Sequence, residues 1–135
     1  MIVAIVGGLV LVLAVTTVVL YARDPGPSPV DVAIGYELAW DRLDFQALWA
    51  LSGPELRDGL DRDGFIAAKS AAYAGRDELV HLAGQVDVDG VEISTEHATV
   101  HTRLTLRNGT VVHNDVELTR RSTGWSVSAY SLVDR

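Results

Sequence analysis

The 135-residue sequence has no cysteine, a single lysine and only two phenylalanines. Without cysteine there is no disulfide framework, no thiolate metal site and no thiol nucleophile. Ten of the eleven basic residues are arginine, which all but excludes lysine chemistry. Positive charge is scarce too: 11 Lys+Arg against 18 Asp+Glu leave a net charge of −7. A nucleic-acid binder needs a Lys/Arg field to track phosphates, so that class is excluded. No glycine-rich phosphate cradle and no nucleophile elbow occurs. The length allows one modest domain, not two with separate cores.

What is present begins with residues 2–22, a stretch of 21 residues without a charge, thirteen of them Ile, Val or Leu. As a helix it would reach about 31 Å, close to the hydrocarbon thickness of a bilayer. Tyr21 sits where an interfacial aromatic belongs, and Arg23-Asp24 stops the run. The stretch exceeds a usual signal-peptide core, no Lys/Arg precedes it, and Leu20-Tyr21-Ala22 is a poor cleavage site. The reading is an uncleaved transmembrane anchor at a cell membrane, with the following domain outside the cytoplasm. Residues 23–29, rich in proline, form a short stiff linker that holds that domain near the bilayer.

Residues 30–135 then divide by hydrophobic period. Ser28 reads as an N-cap with Pro29 at the first helical position. Val32, Ala33, Tyr36, Ala39, Trp40 and Leu43 recur at helical spacing, while Asp31, Glu37, Asp41 and Arg42 fall off that stripe. Asp44 opens a second helix carrying Phe45, Leu48, Trp49 and Leu51, closed by Gly53-Pro54. A third helix is placed from about Gly64, with Phe65, Ala68, Ala72 and Tyr73 inward, and Gly75 at its end. Beyond it the pattern alternates, predicting strands near 79–93, 97–107, 110–120 and 125–132.

Asn108-Gly109 invites a two-residue hairpin loop, but that register mixes apolar and polar faces. A three-residue loop, Arg107-Asn108-Gly109 with Gly109 left-handed, pairs Leu104 with Val112, Val100 with Val116 and Ala98 with Leu118. A four-residue loop at 121–124 would align Val127 with Leu118 and Ala129 with Val116. The predicted class is α+β: three helices on one face of a curved four-stranded antiparallel meander. Several local features carry a resemblance. They are the Leu43-Asp44-Phe45 helix junction, the Gly64-Phe65 helix entry, Ala98-Thr99-Val100 opening a strand and Gly124-Trp125-Ser126-Val127 opening the last. In that order they resemble the nuclear transport factor 2-like (NTF2-like) superfamily of cone-shaped domains, which mixes dehydratases, isomerases and cyclase-like enzymes with non-catalytic modules.

The resemblance implies a pocket between sheet and helices. Thr102 and Asn114 face each other on the inner sheet surface, with Ser131 beside Asn114, and Tyr36, Trp40, Trp49 and Tyr73 are the candidates for the opposite wall. The register puts no His, Asp or Glu of the central hairpin inward, although bulges at Gly84 and Gly90 could turn Asp87 or His81. On the outer face His101 lies opposite Asp115 and Arg103 opposite His113, read as a solvated charge network rather than a metal site. Asp61-Arg62-Asp63-Gly64 and Asp87-Val88-Asp89-Gly90 lack the ligand spacing of calcium loops and read as turn and cap chemistry. No metal and no cofactor is expected. The functional expectation is a single-pass, non-catalytic domain that binds a partner protein or small apolar ligand near the membrane, with self-association through the outer face as a further option. A tethered pocket enzyme of the dehydratase, isomerase or cyclase kind is the alternative.

Overall fold

The computed structural model describes residues 26–134. The apolar run 2–22 and the first residues of the linker lie outside the described residues. Among the described residues no helix is long and apolar enough to cross a membrane.

Three helices come first: α1 (Pro29–Arg42), α2 (Phe45–Leu51) and α3 (Arg62–Ala72). Each begins on a side-chain cap of the predicted type. The Ser28 hydroxyl accepts from the Asp31 amide at 3.1 Å, Asp44 from Ala47 at 3.1 Å and Asp61 from Gly64 at 2.7 Å. These bonds satisfy amides that the first helical turn leaves without partners. Helix α3 therefore starts at Arg62, two residues before Gly64, with Asp61 as its cap. Its inner face also differs from the expectation. Phe65 is buried and Ile66, Lys69 and Tyr73 are half-buried, whereas Ala68 and Ala72 are exposed. Alanine is compatible with either side of a helix, so it does not fix the stripe.

Four strands follow: β1 (Ala83–Ile93), β2 (His97–Leu106), β3 (Val111–Arg121) and β4 (Gly124–Val133), hydrogen-bonded in sequence order as an antiparallel meander. The segment before Ala83 departs from the predicted strand. Asp77–Leu79 makes a 3-10 turn, and His81 takes a left-handed φ of 58°. The β2–β3 register is the one predicted from the three-residue loop, with Leu104 paired to Val112, Val100 to Val116 and Ala98 to Leu118. Gly109 has φ 88°, which the bulged turn requires of the residue in that place. Val100 and Val116 are fully covered, and with Ala98, Leu118 and Val127 they meet Val32, Ala33, Tyr36 and Ala39 of α1 in one core.

The β3–β4 register holds only in part. Leu118 pairs with Val127 as expected, but Glu117 pairs with Ala129 and Val116 with Tyr130. Ser128 is the extra residue of a β-bulge, and its hydroxyl donates to the Glu117 carbonyl at 3.3 Å. This one-residue slip turns Tyr130, instead of Ala129, toward the helices. It also puts Leu132 opposite Asn114 and Ser131 opposite Asp115. In β1 the slips fall beside Gly84 and Asp89. Asp87 stays on the outer surface, where Arg103 pairs with it at 3.6 Å and with Asp89 at 3.4 Å. His101 and Asp115 are 2.6 Å apart on the same face. His81 is exposed and pairs with Asp41 at 3.7 Å, while Asp41 also accepts from the Ala83 amide at 2.9 Å and so ties the end of α1 to the start of the sheet.

Candidate functional site

Where α1 crosses the sheet, a carboxyl lies under it. Glu37 is 1% exposed, one turn after Ala33 on the buried side of the helix. The expectation had placed it on the polar side. Three side chains donate to it: Thr102 Oγ1 to Oε1 at 2.7 Å, Asn114 Nδ2 to Oε1 at 3.1 Å and the Tyr130 hydroxyl to Oε2 at 2.7 Å. Asn114 Nδ2 donates also to the Tyr130 oxygen at 2.8 Å. Thr102 and Asn114 do face each other inside the sheet as predicted, but Glu37 is the acceptor they share. No cation pairs with the carboxyl among the described residues. Burial raises its pKa above the ordinary 4.5, and the hydrogen bonds from Tyr130, Thr102 and Asn114 offset part of that. Burial also pushes the Tyr130 phenol far up, and the Glu37 charge beside it adds to the effect.

Next to this network a cavity of about 230 Å³ opens between α1, α2, the turn after α2, α3 and β4. Tyr36, Trp40, Leu48, Leu56 and Phe65 form its apolar walls, Ser52 and Tyr130 contribute hydroxyls, and Glu55, Asp58 and Lys69 stand at its charged side. Of the six predicted residues, Tyr36 and Trp40 line this cavity. Tyr73 is packed edge-on to Trp40, 5.7 Å between ring centroids, and against Phe45 at 5.8 Å, so it backs the wall without lining it. Trp49 packs on Phe65 at 5.6 Å and lies under the Arg57 guanidinium at 3.8 Å. Thr102 and Asn114 sit in the Glu37 network and are absent from the lining. Tyr130 links the two regions, since it lines the cavity and bonds Glu37, with its ring 5.2 Å from that of Tyr36.

Eight of the ten lining residues were not among the pocket candidates, and two of them, Tyr130 and Lys69, carry polar groups that matter to the site. Tyr130 was missed because only the Ser128 bulge turns it inward. Lys69 was missed although it follows the inward Phe65 by one turn, which is a legible signal.

No protein-family model and no curated protein matches the chain. Solved structures do. A proposed NTF2-like transpeptidase from Campylobacter jejuni superposes with a TM-score of 0.58 at 14% identity, over 75% of this chain and 97% of that one. A SEC-C motif containing protein from Rhodopseudomonas palustris gives 0.55 at 21%, over 79% of this chain and 80% of that one. An NTF2-like protein of unknown function from Shewanella oneidensis gives 0.53 at 18%, over 78% and 95%. Such low identities carry the fold and nothing of the chemistry. The described residues adopt the NTF2-like fold.

Proposed function

We propose that the chain is a membrane-anchored, extracytoplasmic, non-catalytic domain whose cavity binds a small apolar ligand. The supporting observation is the cavity itself: five apolar or aromatic walls, hydroxyls at two points, and a volume of about 230 Å³. That is below the roughly 300–1,000 Å³ of pockets for drug-sized ligands and suits a one-ring compound. The anchor rests on the composition of residues 2–22 alone.

Catalysis is the weaker reading for a chemical reason. General acid–base work needs a titratable group with an open valence toward substrate. The two carboxylates that line the cavity are engaged, Glu55 by Arg121 and Asp58 by Lys69, and Glu37 lies behind the wall with three protein side chains donating to it. None of the four histidines lines the cavity, and the chain has no cysteine to serve as an acyl-transfer nucleophile. The enzyme alternative draws on one feature, the Glu37–Tyr130 hydrogen bond that reaches the cavity wall.

Titration of the isotopically labelled full chain with benzamide, in nanodiscs of neutral phosphatidylcholine, tests the ligand reading through the Trp40 indole signal. A saturable shift of Trp40 with Trp125 unmoved supports it, and no shift with benzamide or with one-ring analogues of either charge, up to the solubility limit, rejects it. The anchor is tested by alkaline carbonate washing of membranes. The intact chain should stay in the pellet, and its release would remove the membrane part of the proposal.

A further inference from the structure

Lys69 is the only lysine of the chain and stands on the inner face of α3, its side chain 27% exposed. The ammonium lies 5.4 Å from the Phe65 ring centre and 5.8 Å from that of Trp40, both walls of the cavity. Its ionic partner is Asp58, at 3.8 Å, which is beyond hydrogen-bond distance. Asp58 projects from a turn with a largely exposed side chain. An ammonium has three N–H donors, and no hydrogen bond to a protein acceptor fills any of them among the described residues. The other charges nearby are committed. Glu55 is bonded by Arg121, and Arg57 stacks on Trp49 while donating to the Trp49 carbonyl at 3.0 Å.

From this arrangement we infer that the ligand of the cavity is an anion: a small aromatic or branched carboxylate whose apolar body lies against Tyr36, Trp40, Leu48 and Phe65 while its carboxylate meets Lys69. The inference rests on the pocket reading above and adds the charge of the ligand. A cationic ligand would find the Phe65 and Trp40 rings already occupied by the ammonium, and like charges a few ångströms apart repel strongly where water is partly excluded. A neutral ligand offers at most an uncharged acceptor to these donors, a weaker bond than a charge-assisted one. A carboxylate supplies the acceptor, displaces the loosely held Asp58 toward solvent, and gains a charge-assisted hydrogen bond.

The test uses three one-ring probes of matched size, benzoate, benzamide and benzylammonium, titrated into the full chain in neutral phosphatidylcholine nanodiscs. The Trp40 indole signal reports the cavity. Benzoate should bind about tenfold more tightly than benzamide, as one partly exposed charge-assisted bond predicts, with benzylammonium weaker than either. Lys69→Met keeps an unbranched stem in the same packing and should bring benzoate down to the benzamide level, while Lys69→Arg should keep the preference. If the Met variant does not fold, the probe series on the unaltered chain decides alone. Benzoate equal to or weaker than benzamide, with both shifting Trp40, overturns the anion inference and leaves the pocket reading standing. Failure of all three probes to shift Trp40 overturns both.

Discussion

Replacing Glu37 separates the cost of losing its partners from the cost of burying its charge. In Glu37→Ala the Thr102 hydroxyl, an Asn114 N–H and the Tyr130 hydroxyl lose acceptors that stood at 2.7, 3.1 and 2.7 Å. A buried donor without a partner costs about 1–3 kcal/mol. Water entering the vacated space, and relief from burying a carboxyl, offset part of that sum. The expected net loss is about 2–4 kcal/mol, a large share of the roughly 5–15 kcal/mol that holds a domain together. Glu37→Gln behaves differently. Its carbonyl still accepts from Thr102 and Asn114, and its amide donates to the Tyr130 oxygen while the Tyr130 proton turns to the cavity that residue lines, so it copies the protonated acid and should stay within about 1 kcal/mol of the parent.

The pH dependence has a defined sign. Because burial raises the native pKa of Glu37 above 4.5, the native state keeps a proton that the unfolded chain releases. The stability linked to this group is fully present below the unfolded value and is lost as pH rises through the native one. The stability of Glu37→Gln relative to the parent should therefore increase from pH 4 upward and level off once the parent's carboxyl has ionised. Urea unfolding followed by tryptophan fluorescence, run at several pH values on both variants and the parent, measures all of this. An Ala variant as stable as the parent, or a Gln variant as damaged as the Ala one, would refute the account of the network.

Three smaller changes test neighbouring statements. Tyr130→Phe removes the hydroxyl that donates to Glu37 and accepts from Asn114, and should lower unfolding free energy by about 1–2 kcal/mol in the same assay. Asp61→Ala deletes the cap of α3 and should cost about 1 kcal/mol, read as a lower urea midpoint with an unchanged slope. Gly109→Ala forces a residue with a Cβ to φ 88° where that Cβ meets no atom within 4 Å, so a purely conformational penalty of about 1–2 kcal/mol is expected from thermal unfolding.

Much of the fold was legible because local rules fix it. Ser28, Asp44 and Asp61 mark helix starts through short-range hydrogen bonds, and the alternation in 98–104 and 112–118, interrupted on the inner face by Thr102 and Asn114, leaves one β2–β3 register that gathers the apolar residues on one face. The charged outer face followed from that register, and His101 lies opposite Asp115 as the alternation requires. The candidate site was less legible, since its parts are distant in sequence. Glu37 reads as a surface residue by polarity, and only the meeting of α1 with Thr102, Asn114 and Tyr130, 65 to 93 residues away, supplies the donors that allow its burial.

Periodicity, caps and turn chemistry in the sequence thus determined the order of elements, the central hairpin register and the apolar character of residues 2–22. Tertiary structure decided which polar groups go inside. The Ser128 bulge shifts the last strand by one residue and with it the direction of Tyr130, a change that alternation along β4 does not encode. Likewise Lys69 becomes a cavity wall because the turn after α2 and the rings of Trp40 and Phe65 gather around its ammonium, which depends on how three helices pack and not on the composition of any one of them.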